Sequence, residues 1–211
     1  MSWLEKRPKR PLTTREEFTG LPNYITYFRI FSVGILVILI MLIQPERETL
    51  RFNILVSWIS MIIFVIAQTT DGVDGFVARK YNLTSTFGKF IDPLADKLLS
   101  LAVLVMLIPL ARVEAWIVVV LISREMCITA LRGIAASEGI VMSASQYGKQ
   151  KTFLQSFAIG FLLVHYPFLG IDPQLVGTIL IWMTALLSLG SGVHYTWVTF
   201  KVIFAKKRKK R

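Results

Sequence analysis

Four aspartates carry the strongest chemical signal in the chain. Asp71 and Asp74 lie in Asp71-Gly72-Val73-Asp74-Gly75, and Asp92 and Asp96 in Asp92-Pro93-Leu94-Ala95-Asp96. The first pair is spaced i, i+3 and the second i, i+4, so on helices each pair projects from one face. If the two helices face each other, four carboxylates converge and repel unless they are protonated or neutralised. Hard oxygen donors at that density suit Mg²⁺ or Mn²⁺, and a site for two ions is the economical solution. Gly75 and Gly88 leave the backbone open to a ligand or a neighbouring helix. Arg79, one to two turns beyond Asp74 and Gly75, supplies a planar fork suited to phosphate.

The elements that must position these groups are apolar and long. Hydrophobic residues make up 54% of the 211-residue chain and mean hydropathy is +0.59, yet 24 Lys and Arg face 13 Asp and Glu. This excludes a disordered chain, and a single cysteine, Cys127, excludes a disulfide framework. A membrane span needs about 20 mostly apolar residues. Six stretches come near that, at 26–43, 52–70, 93–111, 115–133, 151–169 and 174–200. Backbone amides in a bilayer must be satisfied internally, which makes these stretches helices. A β-barrel would alternate along each strand, and runs such as Ile35 to Ile43 do not. The expected fold is therefore all-α and integral to a membrane, with six transmembrane helices. Residues 1–20 form an amino-terminal interfacial segment, 21–200 the transmembrane domain and 201–211 a basic tail.

Charge placement sets the expected orientation. With six spans, one side holds Lys6, Arg7, Lys9, Arg10, Arg15, Arg79, Lys80, Lys89, Lys149, Lys151, Lys201 and the run from Lys206 to Arg211. The opposite loops hold only Arg47, Arg51 and Arg112. Positive charge marks the cytoplasmic side, so both termini are expected there. The tail fits anionic lipid headgroups better than nucleic acid, because it directly follows a span. Trp3, Leu4 and Phe18 among basic residues fit a short interfacial helix. It lacks the apolar core and cleavage site of a signal peptide and is expected to be retained.

Asp71 and Asp74 close the second apolar stretch, and Asp92 and Asp96 open the third. An aspartate at mid-membrane costs at least about 2.5–3.5 kcal/mol on insertion scales, so four together need compensation. Pairing each with Arg79, Lys80, Lys89 or Lys97 at the membrane edge explains any single aspartate, but not the helical spacing and flanking glycines of all four. A cation transporter is a rival reading. It lacks the internal repeat of two similar halves that many transporters carry.

The run D-x2-D-G-x2-A-R-x8-G-x3-D-x3-D, from Asp71 to Asp96, resembles the signature of the CDP-alcohol phosphatidyltransferase family, with all eight defining positions matched. The resemblance implies a six-helix membrane enzyme, usually homodimeric, that uses divalent metal to transfer a phosphatidyl group from a CDP-linked lipid to an alcohol, releasing CMP. It also implies that Asp71, Asp74, Asp92 and Asp96 bind the metals, with Asp96 as general base. Gly75, Arg79 and Ser85 then fall where the family contacts the cytidine diphosphate, and Ala78 and Gly88, the small positions of the same motif, are expected with them on the CDP-lipid side of the site. Two metals bridging the pyrophosphate would stabilise the departing CMP, and a carboxylate within reach could accept the proton of the attacking hydroxyl or orient it.

Two further regions bear on the acceptor. Pro22-Asn23-Tyr24-Ile25-Thr26-Tyr27-Phe28-Arg29 resembles the P-N-x-x-T-x-x-R segment of the family branch that uses sn-glycerol 3-phosphate. Asn23, Thr26 and Arg29 are expected to help line the nucleotide site. Arg124-Glu125, Leu131-Arg132, Glu138-Gly139 and Gly148 to Thr152 resemble the same branch, and Arg124 and Glu125 are expected to pair within the bundle. Arg132, Lys149 and Lys151 are expected to hold the acceptor phosphate through charge-assisted bonds, which favours a phosphate-bearing acceptor over serine. The expected partners are thus CDP-diacylglycerol, sn-glycerol 3-phosphate, membrane lipids and a second copy of the chain. Phosphatidylglycerol, inositol phosphate or serine are the alternative acceptors. The resemblance points to a bacterial plasma membrane. His165 and His194 read as interfacial or packing residues.

Overall fold

The computed structural model describes the backbone of residues 21–44, 50–81, 86–138 and 146–209, and the side chains of 27–44, 50–70, 97–138 and 150–202. The interfacial segment expected at 1–20 lies outside the described residues. Among the described residues six helices follow in order: α1 Leu21–Met41, α2 Leu50–Tyr81, α3 Thr86–Leu107, α4 Ala115–Ser137, α5 Gln146–Val164 and α6 Pro173–Lys209. Among the described residues there is no β-strand beyond an isolated bridge between Phe168 and Ile171.

Each expected apolar stretch lies largely within one of these helices, but the helices do not stop where the hydropathy does. The apolar part of α2 runs over Leu50–Thr70 and ends one residue before Asp71, while the helix continues to Tyr81. The apolar part of α6, Pro173–Val202, likewise continues into the basic tail. At 1.5 Å per residue α2 and α6 reach about 48 and 56 Å, beyond the roughly 30 Å apolar layer of a bilayer. α3 begins at Thr86, seven residues before the expected start at Pro93, so Asp92 and Asp96 lie inside a helix. α5 ends at Val164 rather than running to 169.

Two of these helices, α2 and α6, are long and apolar enough to cross a membrane, and Tyr27–Met41 and Lys97–Leu107 are shorter apolar stretches. α4 and α5 carry charges inside their apolar sequence, Arg124, Glu125 and Arg132 on one and Lys149 and Lys151 on the other. The outer surface is unlike that of a soluble bundle. Phe31, Ile38, Met41, Leu55, Leu186 and Val193 are each more than half exposed, and exposed apolar surface on this scale normally marks a membrane or a partner.

The core is a seam of aliphatic side chains. Leu36, Ile40, Phe64, Leu99, Leu104, Ile117, Leu121, Ile159 and Leu162 are all almost fully buried within it. α1 packs on α2 and α3, α2 reaches α5, and α6 packs on α5 and α4. The α5–α6 contact depends on Gly177, since a Cβ there would lie 2.8 Å from Cγ of Leu162. Buried hydroxyls return their protons to their own helix: Ser32 to the Phe28 carbonyl, Thr184 to Leu180 and Thr199 to Tyr195. Such back-bonding keeps polar atoms satisfied in an apolar interior. Asn53 ties the α1–α2 turn by accepting from the Gln44 amide at 3.1 Å and donating to its carbonyl.

The turn between α5 and α6 is tightly specified. Leu169 and Gly170 have φ of 51° and 77°, and Phe168 and Ile171 exchange amide bonds at 3.1 and 3.0 Å across them. Two consecutive positive φ values in a two-residue loop are the pattern of a type I′ hairpin turn. Trp58 closes the turn edge-on against Phe168, with ring centroids 5.1 Å apart.

Candidate functional site

The last three turns of α2 and the first three of α3 bring the signature to one end of the molecule. Asp71, Asp74, Gly75 and Ala78 follow i, i+3, i+4, i+7 along α2, with Arg79 one residue further. Gly88, Asp92 and Asp96 follow i, i+4, i+8 along α3. Each set thus occupies one helical face. The two helices are consecutive and in contact. A donor set of four carboxylates at one end of two touching helices fits a hard divalent cation in its chemistry. The side chains of Asn23, Thr26, Asp71, Asp74, Gly75, Ala78, Arg79, Gly88, Asp92, Asp96 and Lys149 lie outside the described side chains, and Ser85 lies outside the described residues altogether. Among the described side chains no group of three or more His, Cys, Asp or Glu is gathered for a metal.

Immediately after Asp96 the side chains are described, and they form an ionic cluster. Lys97 of α3 places Nζ 3.3 Å from Oε1 of Glu125 on α4. Oε2 of Glu125 accepts from Arg124 Nη1 and from Lys151 Nζ of α5, each at 3.0 Å. Lys97 also donates to the Thr129 hydroxyl at 2.6 Å, and that hydroxyl donates to the Glu125 carbonyl at 2.8 Å. One carboxylate therefore joins three cations from three helices, and among the described side chains the cluster carries three positive charges against one negative. Lys151 is the deepest of them, only 4% exposed. Burial of a charge on this scale is tolerated only when partners compensate for lost hydration.

α6 supports the cluster from behind. Arg124 Nη2 donates to Ser191 Oγ at 3.1 Å, and Ser191 donates onward to the Ser188 carbonyl at 3.1 Å. The arginine stem crosses Gly192, where a Cβ would lie 3.2 Å from Arg124 Cγ. Arg124 Nε is buried and has no hydrogen-bond partner among the described residues. Two turns beyond Glu125 on α4, Arg132 donates from Nε to the Tyr195 hydroxyl at 3.3 Å, its guanidinium carbon 5.5 Å from that ring's centroid.

The Arg124–Glu125 pair expected from the sequence is present. The structure brings Lys151 to Glu125, and the described contacts of Arg132 are with Tyr195 instead. Arg29 is buried within α1, only 2% exposed. The sequence reading missed Lys97, Thr129, Ser191 and Tyr195 as members of this region. One signal was available: a glutamate at mid-span needs more compensation than a single adjacent arginine provides, and residues 125, 129 and 132 recur at helical spacing.

The opposite end holds a different polar centre. Arg112, between α3 and α4, is 2% exposed. It donates from Nη1 to the Leu163 carbonyl at 2.7 Å and from Nη2 to Ser57 Oγ at 3.0 Å, with the Tyr166 ring 5.6 Å away. Burial lowers the pKa of its guanidinium from the ordinary range, and Tyr166 opposes the shift. Gln174 donates to the Arg112 carbonyl at 2.9 Å and pairs with Nδ1 of His165 at 2.9 Å. These groups clamp the end of α5 to the start of α6, giving His165 the packing role expected of it.

Residues 19–190 match the CDP-alcohol phosphatidyltransferase family. The chain is 41% identical over 180 residues to the CDP-diacylglycerol–glycerol-3-phosphate 3-phosphatidyltransferase of Bacillus subtilis, covering 83% of this chain and 93% of that protein. Proteins of the same name from Rickettsia bellii and Haemophilus influenzae are 35% and 34% identical, over 83% and 85% of this chain and 93% and 92% of their own lengths.

Proposed function

The chain belongs to the CDP-alcohol phosphatidyltransferase family, and from that premise we propose that it transfers the phosphatidyl group of CDP-diacylglycerol to sn-glycerol 3-phosphate, giving phosphatidylglycerophosphate and CMP. The relatives carrying that activity in their names match most of the chain. The observation that supports the acceptor assignment is the ionic cluster one residue beyond Asp96, with two net positive charges among the described side chains of helices α3, α4 and α5.

In the proposed reaction the acceptor hydroxyl attacks the phosphorus that carries the diacylglycerol. The bond from that phosphorus to the bridging oxygen breaks, and the oxygen leaves with CMP. The hydroxyl proton passes to the Asp96 carboxylate, which also orients the attacking oxygen. Asp71, Asp74, Asp92 and Asp96 would hold two Mg²⁺ or Mn²⁺ ions, which supply charge neutralisation for the pyrophosphate and the leaving group. Asn23, Thr26, Gly75, Ala78, Arg79, Ser85 and Gly88 form the CDP-lipid side of the site. Lys151 and Lys149 at the start of α5, with Arg132, hold the acceptor phosphate. Bonds to a charged phosphate place the hydroxyl without the entropy cost of a free encounter.

All six helices span the bilayer in this reading, with both termini cytoplasmic, the aspartates at the cytoplasmic edge of a bacterial plasma membrane and two copies forming a dimer. The lipid tails of the donor enter from the bilayer while its headgroup meets the ends of α2 and α3.

The test is CMP release by the purified protein with CDP-diacylglycerol, Mg²⁺ or Mn²⁺ and a panel of alcohols. Release is expected with sn-glycerol 3-phosphate. No release with any acceptor sinks the enzyme reading, and release with inositol phosphate alone sinks only the acceptor assignment. Ion flux in proteoliposomes without a lipid donor would instead favour a transporter.

A further inference from the structure

We propose that Glu125 is a displaceable counter-ion, a positioning residue that gathers Lys97, Arg124 and Lys151 and gives way to the acceptor's phosphate when substrate arrives. This rests on the phosphate-bearing acceptor proposed above and adds a role for a residue outside the aspartate signature.

Three features of the cluster support it. The two carboxylate oxygens of Glu125 already occupy the place a phosphate would take, with Oε1 facing Lys97 and Oε2 facing Arg124 and Lys151. Among the described side chains the stoichiometry is unbalanced, since one carboxylate satisfies three cations and a dianion would match them better. Arg124 is also set for the exchange, since its Nη2 is anchored on Ser191 while its Nη1 faces the carboxylate. A phosphate offers more acceptor oxygens than a carboxylate and can engage Nη1 together with both lysines.

Two of the three cations have anchors besides Glu125. Lys97 keeps its bond to Thr129, and Arg124 is held by Ser191 and the close approach at Gly192. Lys151 depends most on the carboxylate, being deeply buried with its described ionic contact to Glu125. Release of Glu125 thus transfers Lys151 to the incoming anion, coupling occupation of the acceptor site to the position of a residue on α5.

The experiment compares the full-length protein with Glu125→Gln, which retains a neutral acceptor oxygen, and Glu125→Asp. Three quantities are measured: KM for sn-glycerol 3-phosphate, KM for CDP-diacylglycerol, and inhibition by inorganic phosphate. Removing a competing carboxylate is expected to tighten inorganic phosphate about tenfold and lower the acceptor KM in Glu125→Gln, with the donor KM unchanged, whereas Glu125→Asp returns towards the parent. Thermal unfolding with and without inorganic phosphate gives a readout independent of turnover. Phosphate is expected to raise the Tm of Glu125→Gln more than that of the parent, because a ligand stabilises in proportion to its occupancy. Unchanged or weaker phosphate binding in the variant, with normal CMP release by the parent, overturns the counter-ion role alone. Absence of CMP release by the parent overturns the functional reading, while the phosphate-dependent Tm still reports on the cluster.

Discussion

At one end of the bundle Arg112 gives its guanidinium to the Leu163 carbonyl and the Ser57 hydroxyl. At the other, Arg124 shares a single carboxylate with two lysines and keeps its Nε without a hydrogen-bond partner among the described residues. Both groups are withdrawn from water, but their partners differ in kind. A helix-terminal carbonyl is part of the scaffold and cannot leave; it also presents the negative end of the helix dipole, which a cation stabilises. A glutamate side chain can rotate away. The first arrangement therefore holds helices together, and the second is suited to exchanging one anion for another. Positive charge in an apolar bundle does not by itself identify a binding site. What distinguishes the two ends is whether the compensating acceptor is a fixed part of the scaffold or a side chain that can move away.

The sharpest break between the ends should come from Asp96→Asn, expected to lower kcat about a thousandfold while much of the affinity for CDP-diacylglycerol survives. A near-normal rate in a CMP-release assay removes the proton-accepting role. At the far end, Arg112→Met is expected to cost about 3 kcal/mol of stability, because it leaves the Leu163 carbonyl and the Ser57 hydroxyl without their buried donor. Its kcat per folded molecule should stay close to that of the parent. Denaturation in detergent read beside specific activity checks both statements, and a selective loss of activity would erase the distinction between the ends. Lys151→Gln is expected to raise the KM for sn-glycerol 3-phosphate about tenfold with the donor KM little changed, as for loss of one charge-assisted bond. Steady-state titration of each substrate decides it, and equal rises in both KM values would point to a scaffold role like that of Arg112. The smallest effect expected is a gain of about 1 kcal/mol from Leu169→Asn, measured by thermal unfolding. Leu169 is 91% exposed with φ of 51°, and Asn before Gly170 suits the turn it occupies.

The six helices were legible because apolar runs of that length have few other solutions. Their ends were not. Hydropathy reports where lipid or core is needed, and a backbone can continue its hydrogen bonds past that point, as α2 does from Thr70 to Tyr81 and α6 from Val202 to Lys209. The apolar stretch expected from 93 begins at a proline, whose ring removes one intrahelical bond, yet α3 starts at Thr86 and runs through it. In the site, the spacing of the aspartates pointed to a metal-assisted chemistry whose side chains lie outside those described, and Arg124 beside Glu125 announced an ion pair that is present. The partners arriving from α3 and α5 were hidden, since Lys97 and Lys151 are 28 and 26 residues from Glu125 in the chain and nothing local links them. Arg112 counted only as a loop charge until the fold set it against the end of α5.

The unbroken passage of α2 from Thr70 into Asp71 makes the apolar stretch a ruler for the chemistry. With no hinge between them, in the proposed membrane reading the depth at which Leu50–Thr70 settles in lipid fixes the height of Asp71 and Asp74 above it. One residue inserted into that stretch would lift the pair by about 1.5 Å and rotate it by about 100°, away from its counterpart on α3. The length of an apolar segment outside the aspartate signature thus sets both the height and the direction of its first two carboxylates.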